Sequence, residues 1–272
     1  MNPILISIGG FQIHWYSVLI LVAIIIAGTF IIAESRRFGI PKNFITNMMF
    51  WTILFAIVGA RLYYVLFNLD YYLDNPVEIL QIWKGGLAIH GGIVLGAITV
   101  AVYCKKYKVT ILRMFDIIAP FLLLAQAIGR WGNFFNSEAY GTATTLEALQ
   151  NMKIIPNFVI EGMNIGGVYY TPTFYYECLW CLLGFVVLLI VRSLKYTHIG
   201  QTSGLYFLWY SIGRFVIEGM RLDSLMLGDF KIAQIMSIAL GIVGLVMILA
   251  QAKKPKLEAL YNDKTAIENI TF

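Results

Sequence analysis

The chain has 272 residues, of which 59% are hydrophobic and only 13% are charged, and its mean hydropathy is +0.75. A soluble domain of this length would carry roughly twice that charged fraction, so the composition excludes an ordinary soluble protein and indicates a polytopic membrane protein. The net charge of +5 is accounted for below by membrane orientation and anionic headgroups, and it requires no nucleic-acid partner.

The chain opens with MNPILISIGG, which lacks the basic segment of a cleavable signal peptide, so we expect none. Seven apolar segments follow, each close to the about 20 residues that cross roughly 30 Å of hydrocarbon. They cover residues 15–34, 44–67, 88–104, 111–130, 174–192, 203–218 and 233–251. The predicted fold is an all-α polytopic membrane protein with seven transmembrane helices, in which residues 1–272 form a single domain.

Basic residues set the orientation of such a protein, because Lys and Arg accumulate in cytoplasmic connections. One side and the tail hold 13 of the 20 basic residues: Arg36, Arg37, Lys42, Lys105, Lys106, Lys108, Arg113, Arg192, Lys195, Lys253, Lys254, Lys256 and Lys264. The opposite side holds four: Lys84, Lys153, Arg221 and Lys231. We therefore expect the N-terminus outside, the C-terminus inside, and residues 253–272 as a cytoplasmic tail.

Two connections have a recognisable composition. The segment NLDYYLDNPVEILQIWKGG, after the second predicted span, is rich in Tyr and Trp and predicts an interfacial loop or a short in-plane helix. The longest insertion, residues 138–173, ends in FVIEGMNIGGVYYTPTF, whose β-branched residues broken by glycines predict a small hairpin. Because about 35 residues rarely fold alone, we expect a compact extracytoplasmic cap instead of a separate domain.

The three cysteines do not form a recognisable redox or metal site. Cys178 and Cys181 spell C-x-x-C, but they lie inside a predicted span without basic or metal-binding neighbours. We expect both, and Cys104, to pack as small apolar residues. The sequence contains no metal-ligand cluster and no nucleotide motif, so no metal and no cofactor are expected.

Three arginines are placed in or at the end of apolar segments: Arg61, Arg130 and Arg214. Ionisable groups at that depth are costly and usually face a protein interior or a wet cavity. Snorkelling to the interface explains many single arginines near helix ends. Three on the predicted outer leaflet, with His90, Glu138 and Glu218 on the same side, favour a functional site.

The sixth predicted span carries Tyr210, Arg214, Glu218 and Arg221 at positions i, i+4, i+8 and i+11, which share one helical stripe. Arg214 and Glu218 can pair across one turn. A structural ion pair that locks this helix to a neighbour is the alternative, and this span taken alone favours that alternative.

A second polar group surrounds the end of the fourth predicted span, in AIGRWGNFFNSEAYG. Arg130 ends the span, Gly132 permits a break, and Asn133, Asn136 and Glu138 follow. An arginine fork matches a phosphate bidentately, and amides bind headgroup oxygens. If Arg214 binds the same phosphate, the result is an anion pocket that opens to the outer leaflet.

The segment WKGGLAIHGGIVLG places His90 between two pairs of glycines, where another backbone or a lipid headgroup can approach closely. A lone membrane histidine is more often a satisfied hydrogen-bonding group than a base. An imidazole can nevertheless exchange a proton near neutral pH. Together with the anion pocket, this histidine points to phospholipid headgroup chemistry.

The stretch GRWGNFFNSEAYG resembles the signature of bacterial prolipoprotein diacylglyceryl transferases, G-R-x-G-N-F-x-N-x-E-x-x-G. Every fixed position matches: Gly129, Arg130, Gly132, Asn133, Phe134, Asn136, Glu138 and Gly141. Further landmarks of the family occur in the same order, namely Tyr16, GAR at 59–61, His90 in GGLAIHGG, DIIAP at 116–120, TPTFYYE at 171–177, the Tyr210–Arg221 stripe, Gln234 and Ser237. The chain departs from the family at Thr171, often His, and at Ala88, often Ser.

The resemblance implies a bacterial enzyme of the cytoplasmic membrane with its active site towards the outer leaflet. Its substrates would be phosphatidylglycerol and prolipoprotein signal peptides that carry a lipobox cysteine. The diacylglyceryl group would move to the cysteine thiol, so that a thioether forms and glycerol 1-phosphate leaves. The thiolate is the competent nucleophile, and a free cysteine is mostly protonated at neutral pH.

Roles for individual residues follow from this resemblance. We expect Arg130 and Arg214 to bind the phosphate and to stabilise it as the bond breaks, and His90 to act as the base for the thiol or to orient the headgroup. The residues expected to bind or position lipid are Tyr16, Arg61, Asn133 and Asn136. Asp116, Glu138 and Glu218 would hold the arginines in place. Together with these three, the supporting residues are Gly141, Tyr210 and Arg221.

Three other functions fit parts of the pattern. A transporter for an anionic solute would use buried arginines, but the polar groups cluster at one end of the spans and no inverted repeat is evident. An intramembrane serine protease would need a serine in a G-x-S-x-G setting, which the sequence lacks. A purely structural scaffold would not need three arginines in one leaflet.

Overall fold

The structure is a computed structural model that describes residues 1–9, 11–194, 196–222, 224–254 and 256. Most of the predicted tail of residues 253–272 therefore lies outside the described residues. The elements in chain order are β1 (Ile4–Ile8), β2 (Phe11–His14), α1 (Trp15–Arg37), α2 (Lys42–Phe67), α3 (Leu69–Asp74), α4 (Ile89–Lys106), α5 (Ile111–Asn136), β3 (Ala143–Thr144), α6 (Leu146–Asn151), α7 (Asn157–Gly162), β4 (Asn164–Ile165), β5 (Val168–Tyr170), α8 (Thr173–Ser193), α9 (Gln201–Met220), β6 (Met226–Leu227), β7 (Phe230–Lys231) and α10 (Ile232–Gln251). Two short 3₁₀ turns, Pro76–Leu80 and Ile82–Lys84, follow α3.

Each predicted apolar segment coincides with one long helix. Among the described residues, six of these helices are long and apolar enough to cross a membrane: α1, α2, α4, α5, α8 and α10. The remaining one, α9, has 20 residues and carries Arg214 and Glu218. The protein is therefore a mostly helical, polytopic membrane protein, because each of the six helices satisfies its backbone hydrogen bonds internally while exposing apolar side chains.

Helix α5 is longer than the sequence predicts. The expected break at Gly132 is wrong, because the helix continues to Asn136 before the chain leaves it. Gly132 lies within the helix, where a Cβ would collide with the ring of Tyr16 from α1. The glycine therefore permits a close approach of that ring, and Asn133 and Asn136 belong to the last turns of α5.

The backbone divides into two compact units, and each is described by itself. The first unit comprises residues 1–30 and 115–256, as far as they are described. Within it, α9 and α10 approach closely because Gly204 and Gly244 face each other: a Cβ on either one would meet the backbone oxygen of the other. Small residues at such crossings allow helices to pack by van der Waals contact where lipid supplies no hydrophobic driving force.

The insertion of residues 138–173 also belongs to the first unit. Its predicted hairpin is confirmed: β4 pairs with β5 in an antiparallel register, and β3 adds a third strand to β5. Gly166 and Gly167 form the turn with positive φ values of 62° and 87°, a conformation that glycine adopts readily. The core of the insertion includes Phe134 of α5 and Phe174 of α8, so it shares its apolar interior with two long helices.

The second unit comprises residues 31–114 among those described. Its helices α2 and α4 pack through glycines, as the glycine pairs around His90 predict. A Cβ on Gly91 would collide with the backbone oxygen of Gly59 and with Tyr63. At the other end of these helices, Phe44, Met48 and Cys104 are fully buried, and the ring of Phe44 meets that of Tyr103 edge to face, which gives the unit an apolar core of its own.

Some short strands are missing from the all-α prediction. In the first unit, β1 and β2 form an antiparallel pair, and β6 pairs with β7 immediately before α10. The isoleucines of ILISI in β1 are β-branched residues typical of a strand. The segment after α2, predicted as a loop or in-plane helix, contains α3 and the two 3₁₀ turns.

The α2–α4 crossing predicts different outcomes for two alanine substitutions on α4. Gly91→Ala places a methyl group against the backbone of Gly59, which cannot rotate away, so we expect a loss of about 1–3 kcal/mol in stability from overpacking. Gly96→Ala is the matched control, since its Cβ would lie 3.6 Å from Ala56 and Thr52, an ordinary contact. Thermal melting in detergent should show a lower midpoint for Gly91→Ala alone, and equal midpoints would contradict the crossing.

Candidate active site

Charged side chains from α5, α8 and α9 meet in the first unit. Arg130 of α5 forms an ion pair with Glu177 of α8, through its Nη2 and the Oε1 of the carboxylate. Arg214 of α9 approaches the other oxygen, with its Nη1 3.7 Å from Glu177 Oε2. Glu177 therefore stands between the two arginines that the sequence predicts to act together, and it brings both guanidiniums to one carboxylate.

A second carboxylate extends the cluster along α9. Arg214 Nη2 lies 2.7 Å from Glu218 Oε2, and Arg221 Nη1 lies 3.9 Å from the same oxygen. The predicted pairing of Arg214 with Glu218 across one helical turn is confirmed. Tyr210, one turn earlier on α9, is close enough to interact electrostatically with Arg130, Glu177 and Arg214. The cluster thus alternates in sign from α5 through α8 to α9.

Burial makes this alternation necessary. The side chains of Glu177 and Glu218 are 5% and 3% exposed, while those of Arg130 and Arg214 are 21% and 18% exposed. A buried charge without a partner destabilises a protein strongly, so each carboxylate must face a guanidinium. Nη1 of Arg214 is itself buried and makes no hydrogen bond in the described structure. That donor faces Glu177 Oε2 at 3.7 Å and has no acceptor of its own.

Two tryptophans fix α8 against α9 next to this cluster. The indoles of Trp180 and Trp209 stack with their centroids 4.4 Å apart. Each indole N–H donates to the backbone carbonyl of the other tryptophan at 3.0 Å. Each ring also lies against a glycine of the opposite helix, Trp180 on Gly213 and Trp209 on Gly184. Because Trp180 is one turn from Glu177, this reciprocal contact sets the spacing of the ion pair.

Asp116 supports α9 from its N-terminal end. Its Oδ2 accepts a hydrogen bond from Gly200 N at 2.5 Å, and its Oδ1 accepts from Ser203 N at 2.8 Å and Ser203 Oγ at 2.6 Å. The carboxylate therefore satisfies backbone donors that a helix N-terminus leaves unpaired. The expectation that Asp116 holds Arg130 or Arg214 is wrong, because the hydrogen bonds described for its carboxylate go to Gly200 and Ser203.

The C-terminal end of α9 is supported by a lysine. Nζ of Lys231, in β7, donates to the carbonyls of Glu218 at 2.7 Å and Arg221 at 2.8 Å, and more weakly to Gly219 at 3.3 Å. These carbonyls belong to the last turn, which has no intrahelical partner. A cation is also favoured at the negative end of a helix. Both ends of the helix that carries Arg214 are therefore fixed by side chains from elsewhere in the unit.

Glu138 contacts asparagines in place of the arginines expected. Its Oε1 accepts from Asn133 Nδ2 at 2.9 Å and from Asn136 Nδ2 at 3.3 Å. The residues on either side, Ser137 and Ala139, have positive φ values of 52° and 57°. Left-handed conformations of residues other than glycine are uncommon and cluster at functional sites. Between these two residues, the side chain of Glu138 is exposed immediately after α5.

Gly141 lies where the insertion returns towards α9. Its N–H donates to the carbonyl of Thr171 at 2.9 Å, and it pairs with Arg221 in an isolated antiparallel bridge. A Cβ at this position would be 3.0 Å from the backbone oxygen of Met220 and 2.9 Å from Thr173. Only glycine fits without a shift. A depression of about 370 Å³ beside this turn is lined by Ser137, Glu138, Ala139, Tyr140, Tyr170 and Leu222.

In the second unit, Arg61 holds a loop in place. Its guanidinium donates to four backbone carbonyls at 2.6–2.9 Å, those of Glu78, Ile79, Gly85 and Gly86. The residue is 6% exposed. Most of its N–H groups are engaged in this way, so Arg61 fixes this loop, and its part in lipid binding stays a prediction. A cavity of about 570 Å³ lies beside it, lined by Arg61, Tyr64, Asn68, Tyr71, Tyr72, Glu78, Lys84, Gly85 and Gly86.

A polar network closes the surface of that loop. Lys84 Nζ lies 2.8 Å from Glu78 Oε1, and Tyr71 Oη donates to Glu78 Oε2 at 2.8 Å. The hydrogen bond from Lys84, followed by that from Tyr71, lowers the pKa of Glu78. The hydrogen bond to Glu78 raises the pKa of Tyr71. Because the pKa of Glu78 is lowered in the folded protein, its two hydrogen bonds contribute to stability above the ordinary glutamate pKa of about 4.3. That contribution is lost as pH falls from this value through the lowered pKa of the folded state.

His90 also belongs to the second unit. It lies in the first turn of α4, is exposed, and faces the ring of Tyr63 with centroids 6.1 Å apart. Tyr16, by contrast, belongs to the first unit, where its ring packs on Gly132. The cysteines are buried and free, with Cys178 and Cys181 in an apolar cluster, as predicted. Among the described residues, no group of His, Cys, Asp and Glu could hold a metal ion.

Comparison with known proteins identifies the family to which this chain belongs. A family model described as prolipoprotein diacylglyceryl transferase matches residues 3–250. The chain belongs to the prolipoprotein diacylglyceryl transferase family. Relatives named phosphatidylglycerol–prolipoprotein diacylglyceryl transferase include those of Staphylococcus saprophyticus (44% identical; 93% of this chain, 91% of the relative), Staphylococcus carnosus (45%; 92% and 90%) and Listeria monocytogenes serotype 4b (41%; 97% and 95%).

For this member of the diacylglyceryl transferase family, sequence reasoning missed one residue of the charged cluster. Glu177 appeared only as the end of the TPTFYYE landmark, without a role. A glutamate in the first turns of an apolar helix was a signal that could have found it, because a buried carboxylate requires a cationic partner.

The hydrogen bonds of Arg61 predict that lysine cannot replace it. In Arg61→Lys a single ammonium cannot reach four carbonyls, and each hydrogen bond to a charged donor contributes about 1.5–3 kcal/mol. Amide exchange over residues 76–86 should accelerate at least about tenfold. Lys84→Gln is the control in the same loop, since an exposed ion pair contributes only about 0–1 kcal/mol. Unchanged exchange in Arg61→Lys would show that the loop is held by other contacts.

Proposed function

We propose that this protein transfers the diacylglyceryl group of phosphatidylglycerol to the lipobox cysteine thiol of bacterial prolipoproteins, with formation of a thioether and release of glycerol 1-phosphate. The observation that carries the proposal is the meeting of Arg130 and Arg214 at Glu177, in a chain of the diacylglyceryl transferase family. The relatives named above carry the same activity in their names. Chemically, the reaction needs cationic donors at a departing phosphate ester.

The proposed setting is the bacterial cytoplasmic membrane. We assign α9 as the seventh span, since it is as long as α10 and packs closely against it through Gly204 and Gly244. The distribution of basic residues supports an outside N-terminus and a cytoplasmic C-terminus. The insertion of residues 138–173 would then form an extracytoplasmic cap, and the charged cluster would lie towards the outer leaflet.

The two arginines have complementary roles in this proposal. A guanidinium offers paired N–H groups that match phosphate oxygens. Arg214 Nη1, buried and without a hydrogen bond, supplies one donor directly. As the bond from the glyceryl carbon to the phosphate oxygen breaks, negative charge grows on the departing glycerol phosphate. Donors fixed in a dry site stabilise this charge more than the bound ester, so they lower the barrier.

Other residues would bind or shape the lipid site. Asn133 and Asn136 keep Glu138 in place through one of its oxygens, and the second oxygen can accept a headgroup hydroxyl. Tyr16 packs against Gly132 on α5, one turn from Asn136. The thiol must lose its proton before or during attack. We assign His90 as the acceptor of that proton on the basis of its sequence motif.

Mass spectrometry of a lipobox peptide incubated with the purified protein and phosphatidylglycerol tests the function. We expect the cysteine to gain one diacylglyceryl group and glycerol 1-phosphate to appear in equal amount. Arg130→Ala and Arg214→Ala should each lower the rate by at least about 10²–10³-fold, the loss typical of a missing transition-state donor. Both variants should still insert as folded protein, because Arg214 still faces Glu177 in Arg130→Ala and Arg221 still faces Glu218 in Arg214→Ala.

Arg36→Ala is the control for this assay, since Arg36 is an exposed arginine at the end of α1. It should retain the parental rate. No gain of mass, beside an active family member as positive control, would refute the function. Near-normal turnover in either cluster variant would refute the role of the arginines while leaving the function standing.

A separate substitution tests the base. His90→Asn should lower turnover by about 10²–10⁴-fold, the usual contribution of general base catalysis. Part of the rate should return at alkaline pH, because a free thiol ionises near pH 8.5, roughly its model value. His14→Asn, at an exposed histidine of β2, serves as the control. Near-normal turnover of His90→Asn at neutral pH would rule out the assignment.

A further inference from the structure

Glu177 is the point at which the charged cluster converges. It approaches both arginines, from α5 and from α9, and it is 4% exposed. Two guanidiniums repel each other when they are brought together away from water. An anion between them therefore stabilises this arrangement when substrate is absent, and Glu177 is the residue that supplies it.

The two contacts of this carboxylate differ in quality. Arg130 lies in direct contact with Oε1. Arg214 Nη1 is 3.7 Å from Oε2, beyond hydrogen-bond distance, and it makes no hydrogen bond in the described structure. Glu177 therefore attracts Arg214 by charge without using this donor. The space between the arginines therefore contains the Glu177 carboxylate and an N–H group of Arg214 that makes no hydrogen bond.

We propose that Glu177 is a positioning residue that substitutes for the substrate phosphate in the lipid-free enzyme and limits the affinity of Arg130 and Arg214 for the leaving phosphate. This inference rests on the proposed function. When the lipid phosphate arrives, it takes the unused donor of Arg214, and Glu177 keeps both guanidiniums directed to the same place. The carboxylate itself forms no bond to the reacting atoms.

The charges of substrate and product explain why a limited affinity for phosphate is useful. Phosphatidylglycerol presents a phosphodiester with one negative charge. Glycerol 1-phosphate is a phosphomonoester, whose charge near pH 7 is about −1.5 to −2, as for other monoesters. A fixed carboxylate repels the more highly charged product more strongly than the substrate. Glu177 therefore weakens product binding selectively, so the site empties after each turnover.

The surroundings of Glu177 make a neutral replacement informative. The stacked pair of Trp180 and Trp209 holds α8 and α9 together one turn away, so the spacing of the helices does not depend on the carboxylate. Glutamine has the shape of glutamate without its charge. Glu177→Gln should thus remove the repulsion while leaving the arginines close to their places, and Glu177→Asp should keep the charge but move it by one methylene.

Titration calorimetry of glycerol 1-phosphate into the purified full-length protein tests the inference. We expect Glu177→Gln to bind this anion at least about tenfold more tightly than the parent protein, because one negative charge about 4 Å from the site has gone. In the turnover assay the same variant should show stronger inhibition by glycerol 1-phosphate and a kcat that falls more than kcat/KM. Glu177→Asp should keep the parental affinity for the anion.

Glu161→Gln is the matched control, since Glu161 is an exposed glutamate of α7 in the same unit. It should bind glycerol 1-phosphate as the parent does. Equal or weaker binding by folded Glu177→Gln would overturn the inference. If that variant does not fold, tighter binding by Glu177→Asp would overturn it instead. Tighter binding by Glu177→Gln in a protein without transferase activity would support the role of Glu177 and refute only the proposed reaction.

Discussion

The structure depends on keeping guanidinium groups among apolar helices without leaving any of them unpaired. An arginine removed from water must find anionic or carbonyl partners, or the protein does not remain folded. Arg130 and Arg214 meet this condition through Glu177 and Glu218. Arg61 of α2 meets it through four backbone carbonyls of the loop between α3 and α4. The same chemistry that satisfies an arginine also decides whether it can bind a ligand. Arg61 is largely occupied by its partners, whereas Arg214 keeps a buried donor unused.

Positioning that donor requires rigid helices. Two indoles lock α8 to α9 through stacking and reciprocal hydrogen bonds. Glycines bring α10 against the opposite part of α9. Rotation or sliding of α9 would break several of these contacts at once, so Arg214 is directed by the packing of the whole unit. A donor held in this way is already oriented before an anion arrives, which is how active sites limit the reorganisation that a reaction requires.

Sequence patterns determined the helices well, because about 20 apolar residues in a row have few other ways to satisfy their backbone. They also predicted contacts within one element, such as Arg214 with Glu218, since helical spacing alone brings these residues together. Contacts between different elements could not be predicted in this way. The partners of Asp116, Arg61 and Glu177 are distant in the sequence, and their charges alone do not specify which donor or acceptor each one faces. Gly132 was misjudged for the same reason: its role depends on a ring from another helix.

The lysine at the end of α9 has an electrostatic consequence for this site. A helix of 20 residues carries a macrodipole equivalent to roughly half a negative charge at its C-terminal end. Glu218 lies in the last turn of α9 and Arg214 one turn earlier, so this half-charge would repel any anion that approaches Arg214. Lys231 places its ammonium directly on the carbonyls that carry the half-charge, while Asp116 neutralises the opposite end. With both poles compensated, the field that an anion meets is set by the side chains of the cluster instead of by the helix beneath them.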